Sequence, residues 1–386
     1  MRVLQLIKVG VGATWAERQI AQLVRHGVDV HVAVPAGPMV ERYRAAGATV
    51  HVAETGFSMR RPDRATRAIA TLRRLVAEVR PDLIHSHFVS TTVTMRVALG
   101  PRHAVPRVFQ VPGPLHLEHP LVRRAELALA GPADYWIGSC RWTCARYRAS
   151  GVDPARIFHS VYGVDVERFL PRGAPGPLRA TLGVAAGQRV VGMVAYLYAP
   201  RWWLGQRTGL KGHEDLIDAL ALVRRRGLDV VGVFVGGPWV GAEAYARRVE
   251  AYAAAHLGPA AHFLGTRHDV PDLYGEMDVV AHPSHSENLG GASESLLLAR
   301  PTIATRVGGL PDLVQDGETG WLVPPRAPGA LAAAITEALL DPEEARRRAE
   351  AGRRLAYELM DVRRTSAEIR GIYRQILDHA AARGEG

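Results

Sequence analysis

The 386-residue sequence predicts an α/β fold that consists of two doubly wound, parallel-sheet domains in tandem. Short apolar runs alternate with amphipathic stretches, which is the pattern of strands separated by helices. A Gly/Pro-rich segment at residues 172–177 interrupts this alternation, and the same pattern then begins again. Short apolar strands with helices between them are typical of parallel sheets that are covered on both faces.

The first half of the chain begins with an apolar strand, Val3–Ile7, and a glycine-bearing loop, Lys8–Thr14. The following stretch, Trp15–Arg25, carries apolar residues at helical spacing and ends at a glycine, which is typical of a helix terminus. Further apolar runs of strand length follow at Val28–Val34, Val50–Val52, Leu83–His85, Arg107–Val111 and Tyr135–Gly138.

The second half repeats the pattern, with a strand at Val190–Val194 and an amphipathic helix at Lys211–Arg226. Later strands are expected at Val230–Val235, Ala261–Leu264, Val279–Ala281 and Thr302–Thr305, and arginine-rich helices at 328–382. We therefore expect two Rossmann-like domains, residues 1–170 and 171–362, facing each other across a cleft, with a C-terminal helix at 363–386 that packs back on the first domain. In such sheets, ligands bind at the carboxyl ends of the strands.

Composition limits the classes of protein to which the chain can belong. No apolar run reaches the roughly 18 residues that a membrane span needs, and the apolar run at the N-terminus is too short for a signal peptide. We expect a cytoplasmic protein. The formal charge of +10 favours anionic partners such as sugar nucleotides, an anionic membrane surface or nucleic acid, but no nucleic-acid-binding motif accompanies it. Cys140 and Cys144 are one helical turn apart and are expected to be buried thiols; they are too few for a zinc site.

Lysine is rare in this chain, because only Lys8 and Lys211 are lysines among 48 basic residues. A lysine against an arginine background suggests a requirement for a compact, mobile ammonium group. Lys211 stands beside Gly212 at the start of a predicted helix, where it is suited to clamp a diphosphate.

The segment from Asp278 to Pro325 carries the clearest sign of a binding site. A strand leads into a polar loop, and Gly290-Gly291 then lets backbone N–H groups approach an anion closely at a helix N-terminus. Glu287 and Glu294 bracket this loop, and a carboxylate there can accept two hydrogen bonds from a sugar diol. The alternative for Glu294 is an acid in the first helical turn that the helix dipole stabilises.

Four strings in this part of the chain resemble glycosyltransferase family 4 (group 1), a family of retaining enzymes with the GT-B fold. They are Ser286–Ser295, Ala299–Thr305, Gly308–Val314 and Gly317–Pro324. The resemblance extends weakly over nearly the whole chain. It implies transfer of a sugar from a nucleotide-diphosphate sugar to a hydroxyl of a small-molecule, lipid or glycan acceptor.

In the donor site, the resemblance implies that Glu287 contacts the sugar and Glu294 the ribose, although only six residues separate them here instead of seven. Lys211 would hold the diphosphate and assist its departure.

The family's Gly-Arg pair is replaced by Ala195-Tyr196, so Arg201, or else Arg207, is expected to supply the missing cation. The insertion at 197–210, which contains Trp202 and Trp203, is expected to gate the donor or contact the acceptor. The sugar and diphosphate would also face Asn288, Leu289, Gly290 and Gly291.

In the first domain, the resemblance implies that Gly12 of the first loop contacts the donor and that Lys8 and His87 contact the acceptor. Gly10-x-Gly12 lacks the third glycine of a dinucleotide fingerprint, so NAD binding is not expected. His116 is expected to face the reacting sugar as a catalytic residue, with His119 as the alternative and as an acceptor contact.

These residues can stabilise a leaving diphosphate with cations and backbone dipoles, so we expect neither a catalytic metal nor a cofactor. The base of the donor is left open among UDP, GDP, ADP and TDP, as are the sugar, the acceptor and the oligomeric state. Two other functions stay open: a sugar-nucleotide epimerase or hydrolase that uses Glu287 or His116 as a base, and a basic nucleic-acid-binding protein.

Overall fold

A computed structural model describes residues 1–57, 62–170, 177–202 and 205–384. The chain divides into two compact units, one formed by Met1–Asp165 with Leu359–Gly386 and the other by Val166–Glu358. The unit boundaries therefore fall a few residues before the expected ones at 170/171 and 362/363. Most of the predicted linker at 172–177 lies outside the described residues, as does Trp203.

The first unit is built on seven parallel strands in the order β3-β2-β1-β4-β5-β6-β7. These strands are β1 (Arg2–Leu6), β2 (Asp29–Val34), β3 (Thr49–Val52), β4 (Leu83–Ser86), β5 (Arg107–Val111), β6 (Asp134–Gly138) and β7 (Ile157–His159). The helices between them are α1 (Thr14–Arg25), α2 (Met39–Ala45), α3 (Ala65–Val79), α4 (Val89–Leu99), α5 (Leu115–Glu118), α6 (Pro120–Ala128) and α7 (Arg141–Arg148).

The second unit is built on six parallel strands in the order β10-β9-β8-β11-β12-β13. The strands are β8 (Arg189–Val194), β9 (Val230–Val235), β10 (Ala261–Phe263), β11 (Val279–His282), β12 (Thr302–Thr305) and β13 (Trp321–Val323). The helices are α8 (Leu178–Thr181), α9 (His213–Arg225), α10 (Glu243–Leu257), α11 (Val270–Gly275), α12 (Ala292–Leu297), α13 (Leu310–Leu313), α14 (Pro328–Leu340) and α15 (Pro342–Met360).

Both sheets have the doubly wound strand order, in which the direction of winding reverses next to the first strand. The reversal falls between β1 and β4 in the first unit and between β8 and β11 in the second. The central strands are apolar and buried along their whole length, for example β9, because helices cover both faces of the sheet. The loops that follow β1, β4, β8 and β11 are therefore the expected ligand positions in their respective units.

The last helix, α16 (Val362–Gly384), belongs to the first unit and packs against α1 and the adjacent sheet. Its buried face carries Ile369, Ile372, Tyr373 and Ile376, which share a hydrophobic cluster with residues of β1 and α1. Burial of each large apolar side chain contributes about 1.5–3 kcal/mol, so this face is sufficient to hold the helix in place. Within the described ranges, no helix has the length and apolar character of a transmembrane span.

Candidate functional site

In the second unit, the loops after β8 and β11 meet directly at the reversal point of the sheet. The His285 N–H donates to the Leu210 carbonyl at 2.8 Å. Gly212, at the start of α9, has a φ of +74°, and a Cβ there would lie 2.1 Å from the Pro283 carbonyl oxygen. A side chain at this position would therefore push the two loops apart, which explains why the lysine in this loop is followed by glycine.

Lys211 and Glu287 form an ion pair across these two loops. Both residues were expected in the donor site. Their side chains are only 18% and 15% exposed. Glu287 also accepts hydrogen bonds from its neighbour, the Asn288 N–H, at 3.1 Å, and from the Ser284 hydroxyl at 3.3 Å. Burial raises the pKa of Glu287, but Lys211 and the Asn288 N–H outweigh it, so the pKa is lowered and the carboxylate is ionised.

The glycine pair beyond Glu287 brings the backbone close to its surroundings. Gly290 has a φ of +47°, and a Cβ there would lie 2.7 Å from the Glu287 carboxyl carbon. A Cβ on Gly291 would meet the His282 ring at 3.3 Å and the Val194 carbonyl oxygen at 3.4 Å. The following helix, α12, has only six residues, so its dipole is weaker than expected, and Lys211 is the stronger argument for an anion site.

Three other residues of this loop and helix were expected to contact the donor. Glu294 lies in the first turn of α12 and is half-buried. The side-chain oxygen of Asn288 is buried and has no hydrogen-bond partner among the described residues, so it is an acceptor that a ligand could satisfy. Leu289 is buried, and only its backbone is suited to face a ligand.

The structure adds two buried histidines and a histidine–carboxylate pair that the sequence did not single out. Burial lowers the pKa of His213 and of His282 to about 4, so both are neutral at physiological pH. His282 Nε2 lies 3.1 Å from the Ser295 hydroxyl, and His285 Nε2 lies 2.7 Å from Asp215. These contacts fix the loop after β11 against α9 and α12.

The insertion after β8 contains the two arginines that were considered as substitutes for the family's arginine. Arg201 and Arg207 are both exposed, and the Arg201 N–H donates to the Gln206 side chain at 2.9 Å. Burial raises the pKa of the Tyr198 hydroxyl, and the positive charges of Lys211 and, to a smaller extent, Arg201 oppose this rise. Tyr198 borders Lys211, since the ammonium lies 5.8 Å from the ring centroid.

In the first unit, Lys8 is exposed and lies in the loop that follows β1. Gly12 has a φ of +74°, and a Cβ there would have no neighbour within 4 Å. Gly12 therefore permits the left-handed turn before α1, and no protein atom of the described residues fills the space beside it. The close approach in this loop is made by Gly10, where a Cβ would lie 2.4 Å from the Ala36 carbonyl oxygen.

His87 was expected to contact the acceptor, but the structure corrects this prediction. Its side chain is completely buried, with Nδ1 2.8 Å from the Tyr162 hydroxyl and Nε2 2.7 Å from the Gln5 side chain. Burial lowers its pKa to about 3, so it is neutral. Both ring nitrogens are occupied, and His87 is therefore a structural member of a polar network that also includes His85 and Tyr373.

His116, the preferred catalytic histidine, also points into the first unit. Its Nε2 lies 3.2 Å from the Tyr147 hydroxyl, and a hydrogen bond to the Gly113 backbone engages the ring as well. Burial lowers its pKa to about 4. His119, the alternative, is partly exposed, although its Nδ1 is buried and has no hydrogen-bond partner among the described residues. Because the ring of His116 is already engaged and that of His119 is partly exposed, His119 is the better placed of the two to meet a ligand.

A completely buried cluster of charges, which the sequence did not predict, supports the His116 loop. Arg96 donates to the Glu126 carboxylate at 2.5 Å and to Asp134 at 2.9 Å, and Arg107 donates to Asp134 at 2.6 Å. The Glu126 carboxylate helps to raise the pKa of the Tyr147 hydroxyl, the partner of His116, although burial is the larger cause.

In the parts of the chain that the structure describes, no group of three His, Cys, Asp or Glu side chains could hold a metal ion. Cys140 and Cys144 are both buried and are not joined by a disulfide. Burial of the two thiols agrees with their expected role as small apolar side chains.

Two family models match the chain. Residues 12–168 match the model described as Glycosyltransferase Family 4, and residues 203–355 match the model described as Glycosyl transferases group 1. The first match begins after β1 and covers β2 to β7, and the second begins after β8 and covers β9 to β13.

Two curated relatives are similar over most of the chain. A GDP-mannose-dependent alpha-(1-6)-phosphatidylinositol monomannoside mannosyltransferase from Mycolicibacterium smegmatis is 30% identical over 62% of this chain and 62% of its own length. A D-inositol 3-phosphate glycosyltransferase from Acidothermus cellulolyticus is 33% identical over 68% of this chain and 60% of its own length. The chain therefore spans about three fifths of the length of these relatives.

Two solved structures share the fold along nearly the whole chain. Anabaena Alr3699/HepE in complex with UDP has a TM-score of 0.80 at 24% identity, covering 96% of this chain and 99% of that one. Sucrose-phosphate synthase from Thermosynechococcus elongatus has a TM-score of 0.78 at 21% identity, covering 98% and 100%. The likeness shows that the two Rossmann-like units have the architecture of GT-B proteins.

Proposed function

Because the chain belongs to glycosyltransferase family 4 (group 1), we propose that it transfers a sugar from a nucleotide-diphosphate sugar to a hydroxyl of an acceptor. The observation that carries this proposal is the Lys211–Glu287 ion pair, which lies between two glycine-bearing loops at the carboxyl ends of β8 and β11. A cation, a carboxylate and accessible backbone N–H groups are the chemistry that a sugar diphosphate requires.

The proposed roles of these two residues follow from their charges. Negative charge accumulates on the diphosphate as the bond to the sugar breaks, and Lys211 stabilises this charge. Glu287 is ionised and accepts hydrogen bonds from sugar hydroxyls. The diphosphate competes with Glu287 for the Lys211 ammonium, so donor binding exchanges an ion pair within the protein for one with the substrate.

Transfer proceeds with retention in this proposal, because the acceptor hydroxyl approaches from the face that the diphosphate leaves. The stereochemistry is tested by NMR spectroscopy of the product. We expect the anomeric configuration of the donor to be kept, and an inverted product would contradict the proposal.

The choice of donors and acceptors for a first assay follows from the names of the relatives. One relative is named for GDP-mannose and for phosphatidylinositol monomannoside, and the other for inositol 3-phosphate. We propose an acceptor of this polyol-phosphate or lipid-linked kind. The basic character of the chain, with a formal charge of +10, favours such anionic acceptors.

A thermal-shift screen against UDP, GDP, ADP and TDP sugars identifies the donor, because a ligand that binds only the folded state raises the unfolding temperature. Mass spectrometry then follows transfer to inositol phosphates and lipid extracts. The matched control for Lys211→Ala is Arg225→Ala, which removes an exposed cation at the end of α9. Isomerised or hydrolysed donor in the absence of any acceptor, with no transfer product, would favour the epimerase or hydrolase alternative.

A further inference from the structure

Three aromatic side chains form a continuous surface on the loops that follow β8 and β9, and we call this surface the aromatic shelf. It consists of Tyr196, Tyr198 and Trp239. The Trp239 ring centroid lies 5.3 Å from that of Tyr196 and 5.4 Å from that of Tyr198. Tyr196 is 40% exposed and Trp239 is 42% exposed. Large aromatic side chains that remain exposed together, rather than singly, indicate a binding surface.

The backbone holds the shelf in place before any ligand binds. The Leu197 N–H donates to the Gly237 carbonyl at 3.0 Å, and the Trp239 N–H donates to the Leu197 carbonyl at 2.9 Å. Leu197 itself is buried in the core of the second unit. Gly236 has a φ of +131°, and a Cβ there would lie 2.1 Å from the Ala195 carbonyl oxygen. The two loops are therefore joined as a short extension of the β8–β9 pair.

The shelf begins beside the Lys211–Glu287 ion pair. The Lys211 ammonium lies 5.8 Å from the Tyr198 ring centroid, and Tyr198 is followed by Trp239 in the same row. In a doubly wound sheet, the loop after the first strand takes the phosphates of a nucleotide, and the loop after the neighbouring second strand lies on the nucleoside side. Trp239 stands in that second loop, after β9.

We propose that the aromatic shelf is the stacking surface for the base of the donor nucleotide, with Trp239 as its main contact. This inference rests on the proposed function, since it places the diphosphate at Lys211. A base joined to a diphosphate through one ribose spans the row from Lys211 to Trp239. Stacking on an aromatic face accepts any base, so the shelf supplies affinity for the nucleotide more than discrimination between bases.

Nucleotide and acceptor make different demands on such a surface. A polyol-phosphate acceptor can place C–H groups on an aromatic ring but has no π-face of its own, so it lacks the ring-on-ring stacking that a base makes. The neighbouring cation at Lys211 also favours a ligand that carries a diphosphate beside its ring.

The test compares binding of UDP, GDP and inorganic pyrophosphate to the full chain by isothermal titration calorimetry, with quenching of tryptophan fluorescence as a second signal. Trp239→Leu keeps apolar volume but removes the π-face. We expect it to weaken UDP and GDP binding at least about fivefold and to leave pyrophosphate binding unchanged. Trp239→Phe restores most of the lost affinity. Tyr357→Ala, which removes an aromatic side chain of similar exposure on α15, serves as the control.

One result would overturn the assignment of the base to the aromatic shelf, and others would overturn the proposed function. If Trp239→Leu binds UDP and GDP as tightly as the unmodified protein does, the shelf does not receive the base. A change in the KM for the acceptor alone would lead to the same conclusion. The proposed function fails separately if neither nucleotide nor pyrophosphate binds the unmodified protein, or if Lys211→Ala leaves binding of both unchanged.

Discussion

Lowering the pH from 7.5 to 5.5 is expected to destabilise both units, because five buried histidines are held neutral. Burial lowers the pKa of His87 to about 3 and those of His116, His213 and His282 to about 4, and it lowers the pKa of His85 well below its ordinary value. The unfolded chain binds more protons than the folded chain below about pH 6.5. The stability that these groups contribute is therefore complete above pH 6.5 and is lost as the pH falls toward the folded-state pKa values.

The size of the effect follows from the number of groups in each unit. Each histidine lowers the free energy of unfolding by about 1.4 kcal/mol per pH unit below about pH 6.5. His85, His87 and His116 lie in the first unit, so its free energy of unfolding falls by about 4 kcal/mol at pH 5.5. For a unit of this size, that loss corresponds to a decrease of about 10 °C in Tm. The second unit, with His213 and His282, loses about 3 kcal/mol.

Differential scanning calorimetry at pH 7.5, 6.5 and 5.5 measures this decrease. His87→Gln removes one titrating group and should make the decrease smaller, whereas His256→Gln, at an exposed position on α10, should leave it unchanged. A Tm that stays constant or rises between pH 7.5 and 5.5 would refute the reasoning, because it would mean that these imidazoles are protonated in the folded state or exposed to solvent.

Three further predictions concern the site and its support. Gly212→Ala introduces a Cβ against the Pro283 carbonyl at a positive φ, so we expect the free energy of unfolding to fall by at least about 1 kcal/mol and donor affinity to fall with it. Urea denaturation measures the first and titration calorimetry the second. If neither value changes, the two loops separate without cost. Arg96→Met leaves buried carboxylates without their cation and should lower the free energy of unfolding by about 3–5 kcal/mol in urea denaturation, and a loss below about 1 kcal/mol would contradict this. Transfer activity in excess chelator should equal that in buffer. A loss of activity that is reversed by adding divalent cations would contradict the metal-independent mechanism.

The sequence predicted the two doubly wound sheets because strand and helix periodicity is a local property that neighbouring residues encode. The pairing of Lys211 with Glu287 was also within reach, since both follow strands that meet at the reversal point of one sheet. The side-chain direction of His87 and of His116 could not be predicted from the sequence, because it depends on partners distant in sequence, such as Tyr162 and Tyr147.

Two other features depend on contacts that no local pattern reports. Arg96 is one of many arginines in the sequence, and only the meeting of α4 with α6 and β6 shows that it is completely buried. The aromatic shelf likewise joins residues of two loops, those after β8 and β9, through backbone pairing. Its sequence signal was the replacement of the family's arginine by Tyr196, which marked an altered donor site without revealing the role of Trp239.

Calorimetric titration of the unmodified protein and of Lys211→Ala with the donor that the thermal-shift screen identifies tests the proposed donor site most directly. Loss of a charge-assisted contact with the diphosphate should weaken binding about 10- to 100-fold and lower turnover at least about tenfold, while Arg225→Ala binds normally. Donor affinity and turnover in a folded Lys211→Ala variant equal to those of the unmodified protein would contradict the assignment of the donor diphosphate to this site.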